Sequence, residues 1–139
     1  MRTIFIYIAV LFFSFSFSQK KELRQIKRLI DEKFFQEAES TLESNKDFLL
    51  SGDSKTDAQY YYYATKIYTE IKSFKLAKNS LEELMSINPS YYNAEMKLDY
   101  KNLEEILVVA LVNAAVADNS SKKWMEGVEK LLLAYELSL

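Results

Sequence analysis

The chain has 139 residues and a formal net charge of −2, with 18 basic against 20 acidic residues, a balance that exerts no general pull on nucleic acid. It contains no histidine and no cysteine, which excludes a Ser-His or Cys-His nucleophile pair, an ordinary zinc site and any disulfide framework. Two glycines and one proline are too few for the turns of a β-rich fold, so the expected fold is all-α, with helices joined by short polar connections.

Residues 1–18, MRTIFIYIAVLFFSFSFS, carry a positive charge at Arg2, an apolar run from Ile4 to Phe13 and then alternating serine and phenylalanine. That order is the pattern of a secretory signal peptide, with Ser16 and Ser18 as the small residues before a cut ahead of Gln19. The apolar run is shorter than the roughly 18 to 20 residues that span a bilayer, which favours cleavage over a retained anchor. No cysteine follows it, so a lipoprotein is excluded. The chain is therefore expected to be exported to the periplasm or beyond, with residues 19–139 as one helical domain.

Leu23, Ile26, Leu29 and Ile30 predict a first helix, with a break near Lys33. Phe34, Phe35, Ala38 and Leu42, continued by Phe48 to Leu50, predict a second. Residues 51–57 read as a loop, closed by a capping box of Thr56 and Gln59 that starts the helix QYYYYATKIYTEI. Another helix covers Phe74 to Ile87 and is stopped by Pro89, which would lose a hydrogen bond and clash inside it. The three-and-four rhythm of Leu103, Ile106, Leu107, Ala110, Leu111, Ala114 and Ala117 predicts a long helix from about Tyr91 to Ala117. DNSSKK follows as a turn, and WMEGVEKLLLAYELSL as the last helix.

These elements repeat. At a shift of 39 residues Lys33, Phe35, Ala38 and Leu42 fall on Lys72, Phe74, Ala77 and Leu81; at a shift of 50, Phe74, Ala77, Leu81 and Leu84 fall on Trp124, Gly127, Leu131 and Ala134. An aromatic residue three before a very small one, with leucine four after it, places all three on one helix face and the small residue where a second helix axis comes closest. Residues 58–91 resemble a tetratricopeptide repeat, the 34-residue helix–turn–helix unit. Tyr61, Ala64, Thr65 and Tyr68 stand at its first-helix positions, Ala77 at the signature alanine, Leu81 at the phenylalanine and Pro89 at the closing proline. Weaker copies span about residues 19–55 and 100–139, and signal peptide and repeat style together resemble exported tetratricopeptide proteins of Bacteroidota. The resemblance implies an α-solenoid of about three helix–turn–helix repeats. Because LLLAYELSL carries no polar capping helix, the chain is expected to be the N-terminal part of a longer array, or else to cover that face in a homodimer.

No catalytic constellation is expected. Gly52 and Gly127 cannot build a phosphate loop, and Glu95 and Asp99, four apart, read as a solvated helix face. Neither cofactor nor metal site is anticipated. The resemblance implies instead a concave groove lined by the first helix of each pair, with Lys20 and Lys27 in the first repeat and Gln59, Tyr62, Lys66, Thr69 and Glu70 in the second. Val109, Val112 and Val116 hold those positions in the third. Such a groove runs from basic to aliphatic and suits a peptide with an acidic and an apolar end. The two-carboxylate clamp of some family members is not expected, since Leu23, Lys27, Tyr63, Val109 and Asn113 occupy its positions. The expected function is a non-catalytic scaffold binding another protein or peptide, without nucleic acid or stable membrane insertion. A ligand-sensing input region of a larger envelope receptor or signalling protein is the alternative.

Overall fold

A computed structural model describes residues 18–50, 53–87 and 94–138, the stretch 94–100 by its backbone alone. The expected signal peptide (Ser18 apart), Gly52 and Pro89 lie outside the described residues, as do the side chains of Glu95 and Asp99. The described residues are all-helical, without strands: α1 (18–31), α2 (Phe35–Ser44), α3 (Lys46–Leu49), α4 (Ser54–Glu70), α5 (Phe74–Ser86), α6 (Ala94–Ser120) and α7 (Trp124–Leu137).

Three turns organise these helices, and they share one geometry. Lys33, Lys72 and Lys122 are the only non-glycine residues with positive φ among those described, at 64°, 63° and 60°. Each lysine N–H donates to the carbonyl three residues back: Ile30 O at 3.0 Å, Thr69 O at 3.2 Å and Asn119 O at 3.1 Å. The next N–H reaches five back, Phe34 to Leu29 O, Ser73 to Tyr68 O and Lys123 to Asp118 O, at 2.8–2.9 Å. This double bond is the Schellman closure, which satisfies helix-end carbonyls that otherwise lack partners. A following residue near φ −90°, ψ 60° then starts the return helix in all three places.

The small residue lies one turn into each return helix. Ala38 and Ala77 are fully buried, as is Gly127. A Cβ on Gly127 would sit 3.2 Å from the Ala115 carbonyl oxygen, so α7 crosses α6 at nearly the closest distance a helix pair allows. Around these crossings one apolar cluster runs through the molecule, from Leu23 and Ile26 of α1 and Leu42 of α2 to Ile67, Leu81 and Leu84 of α4 and α5, and on to Leu103, Leu107 and Leu111 of α6. Pairing follows chain order: α4 packs on α2, α3, α5 and α6, α5 also on α6 and α7, and α6 on α7. The start of α1 is tied in by Gln19, whose Nε2 donates to the Phe48 carbonyl at 2.7 Å.

The expected second helix is two, α2 and α3, parted at Asn45, and two further boundaries differ from the sequence expectation. Helix α4 begins at Ser54, not after Thr56, because Asp53 is its N-cap: the Asp53 carboxylate accepts from the Lys55 N–H at 3.4 Å and from the Thr56 hydroxyl at 2.7 Å. A charged acceptor at the positive helix end outcompetes a hydroxyl, so Thr56 donates to the cap instead of being it. Helix α6 runs on through Ser120, and the turn shrinks to residues 121–123. There Asp118 is held by Lys130 of α7 and the Ser120 hydroxyl donates to Val116 O at 2.9 Å, both compatible with helix.

Candidate functional site

A cavity of about 350 Å³ opens between α1 and α4, lined by Lys27, Ile30 and Asp31 from the first and Gln59, Tyr62, Tyr63 and Lys66 from the second. The spacing explains the lining. Residues 59, 62 and 66 fall three and four apart on one face of α4, as do 27, 30 and 31 on α1, so two antiparallel-hairpin first helices present one row each.

Charge within the cavity is uneven. The Lys27 ammonium donates to Asp31 Oδ2 at 2.6 Å, an exposed pair one turn apart that raises the Lys27 pKa and cancels its charge locally. Lys66 has no carboxylate partner among the described residues; its Nζ sits 4.7 Å from the centroid of the Tyr62 ring, where the ring quadrupole attracts a cation. Tyr62 in turn meets Tyr63 edge to face, ring centroids 5.7 Å apart. Burial pushes the Tyr63 phenol pKa up, so its hydroxyl stays protonated near neutrality and able to donate. The result is one unneutralised ammonium, an amide, two phenols and an aliphatic wall at Ile30. That set can accept a carboxylate at Lys66, pair with peptide amides through Gln59, and cover an apolar side chain with Tyr62.

Four of the seven residues expected at a groove, Lys27, Gln59, Tyr62 and Lys66, therefore meet at one cavity. The other three do not line it. Lys20 is exposed on α1, two turns before Lys27, and Glu70 is exposed at the last position of α4. Thr69 is a correction: it is buried, and its hydroxyl donates to the Thr65 carbonyl at 2.7 Å, as Thr65 does to Tyr61 O at 2.8 Å. A hydroxyl satisfied by its own helix lets threonine act as a small packing residue, and sequence spacing alone does not reveal that. Among the four consecutive tyrosines, Tyr60 is the buried one; Tyr61 is partly buried, packs against the core and meets Tyr60 edge to face at 5.3 Å. Leu23 packs into the core, as its stripe with Ile26 predicts.

Ile30, Asp31 and Tyr63 were missed as lining residues. A signal for Asp31 existed, since a carboxylate four residues after Lys27 on an exposed helix predicts an ion pair. Val109, Val112 and Val116 of α6 are exposed, and Val116 lines a separate apolar groove of about 290 Å³ with Trp124, Gly127, Val128 and Leu131. Among the described residues no helix is long and apolar enough to cross a membrane, and no three acidic side chains gather as a metal site. Comparison with protein-family models, with curated proteins and with solved structures finds no match.

Proposed function

We propose that this protein is a non-catalytic scaffold of the tetratricopeptide type, exported from the cell, which binds an extended segment of another protein between α1 and α4. The observation that carries the reading is the convergence of Lys27, Gln59, Tyr62 and Lys66 from two successive first helices on one cavity. In a helical-pair solenoid such rows form the concave surface along which a peptide runs. The three like turns at Lys33, Lys72 and Lys122, spaced as the sequence repeats are, support the solenoid part of the proposal. The order of charged start, apolar run and small-residue end in residues 1–18 supports the export part.

The bound segment carries an acidic residue for Lys66 and an apolar one for Tyr62 and Ile30. Fluorescence anisotropy of labelled acidic–apolar peptides, titrated with the protein, tests this. Lys66→Glu is expected to weaken binding about tenfold or more by reversing the free charge, and Lys27→Gln much less, because Asp31 already neutralises that lysine. Added salt weakens the wild-type complex. Affinities indifferent to Lys66→Glu and to salt would move the binding surface elsewhere.

A further inference from the structure

Helix α7 carries a second surface unrelated to the α1–α4 cavity. Trp124, Val128, Leu131 and Tyr135 are spaced four, three and four, the d-a-d-a spacing of a coiled-coil seam, and Leu132 and Met125 widen the stripe on one side. All six are exposed. Two of the corresponding positions one pair earlier are covered. Phe74 is 6% exposed where Trp124 is 58%, and Leu81 is 0% exposed where Leu131 is 49%. In the earlier pair α6 and α7 pack on α5; nothing among the described residues packs on α7 in the same way. At the other four positions the earlier pair has Lys75, Lys78, Glu82 and Met85, so α7 is more apolar on this face than its counterpart.

We infer that a second copy of this chain covers the stripe, α7 against α7 across a twofold axis. Three observations favour that occupant. With Val116 and Val112 of α6 beside it, the patch gathers eight exposed large apolar residues, a surface of the kind that marks a protein–protein contact. Its acidic neighbours are already neutralised on the far side: Glu129 meets Lys75 at 2.5 Å and Glu136 meets Lys78 at 3.2 Å, so pairing two α7 helices brings no free carboxylates together. Head-to-tail stacking is disfavoured, because the first pair exposes Lys21, Arg24 and Arg28 on α1 and Glu37 and Glu43 on α2, charges that an apolar seam would strip of water. A self-complementary, isologous contact remains, and it closes at two copies.

Sedimentation equilibrium of the whole protein tests this. The expected result is a species of twice the chain mass at about 100 μM, dissociating on dilution. Leu131→Glu and Val128→Lys, each at a position about half open in the free chain, should raise the dissociation constant about tenfold or more while leaving the helical circular dichroism unchanged. A wild-type chain that stays monomeric at that concentration overturns the proposal and gives the stripe to a helix of another partner or of further chain. A dimer insensitive to both substitutions, or growth into open-ended polymers, overturns it equally.

Discussion

Replacing Lys33, Lys72 and Lys122 by glycine, one at a time, should stabilise the protein. Each holds φ near +60°, where an L-residue pays for contact between its Cβ and the following carbonyl, about 1–2 kcal/mol. Glycine removes that strain but loses about 0.5–1 kcal/mol more backbone freedom on folding. The net gain is about 0.5–1 kcal/mol per turn, or roughly 2–5 °C in Tm for a chain of this size. Two controls separate the causes. Lys72→Gln removes the charge and keeps the left-handed backbone, so it should gain nothing. Arg24→Gly puts glycine at an exposed position inside α1, where it should cost about 1 kcal/mol. Urea unfolding followed at 222 nm, with the midpoint and slope fitted for each variant, measures all five. If the turn variants lose stability as Arg24→Gly does, the shared Schellman geometry is wrong, and with it the structural equivalence of the three turns.

Further consequences follow from burial and protonation. Leu81→Ala should cost about 2–5 kcal/mol by opening a cavity in a fully buried site, whereas Leu131→Ala, measured where the chain is monomeric, should cost less than about 1.5 kcal/mol; chemical denaturation compares them. Gly127→Val should cost about 1–3 kcal/mol, because its side chain meets the Ala115 carbonyl, and the loss would show as a lowered Tm. Asp53→Ala removes the α4 cap and should cost about 1 kcal/mol at neutral pH. The Thr56 hydroxyl holds the Asp53 pKa below the usual value, so this contribution is present above the ordinary aspartate pKa and disappears as pH falls through the lowered one. Tyr60 and Tyr68 lie on the opposite side of the pH scale. Burial, with Glu43 nearby and bonded by the Tyr68 hydroxyl, raises both phenol pKa values, so their stabilisation is complete below about pH 10 and is lost as pH rises towards the raised values. Phenolate absorbance at 295 nm should therefore rise together with loss of helix signal.

Helix type and placement were legible because the periodicity is strong and breakers are rare. The repeat of Lys, aromatic, small residue and leucine located all three turns, and Lys122, which falls on Lys72 at the same 50-residue shift as the Trp124 match, adds a position the pattern did not need. What sequence could not supply was the state of individual side chains. Thr56 and Gln59 fit a capping box as well as Asp53 fits a cap, and the choice depends on which oxygen the first turn's N–H groups reach. Thr69 has groove spacing, yet a single bond to the carbonyl one turn back lets it pack. Tyr60 and Tyr61 differ by one residue in a run of four like residues, and only the direction in which α2 and α5 approach α4 decides which is enclosed.

The same registration separates scaffold from function. At the 50-residue shift Gln59, Tyr62 and Lys66 correspond to Val109, Val112 and Val116, while Ala77 corresponds to Gly127 and Leu84 to Ala134. These two inside positions thus stay small or apolar, because a crossing that leaves a Cβ 3.2 Å from a backbone oxygen tolerates little else. Positions on the outward row change chemistry entirely, from amide, phenol and ammonium to three valines, without altering the turn geometry beneath them. Substitutions along that row are therefore expected to change what is bound and leave stability within about 0.5 kcal/mol. Exchanging Lys66 for Val, as Val116 stands in the next pair, should abolish acidic-peptide binding while the urea midpoint stays in place; a large shift of that midpoint would mean that Lys66 holds the fold together and does not serve a ligand.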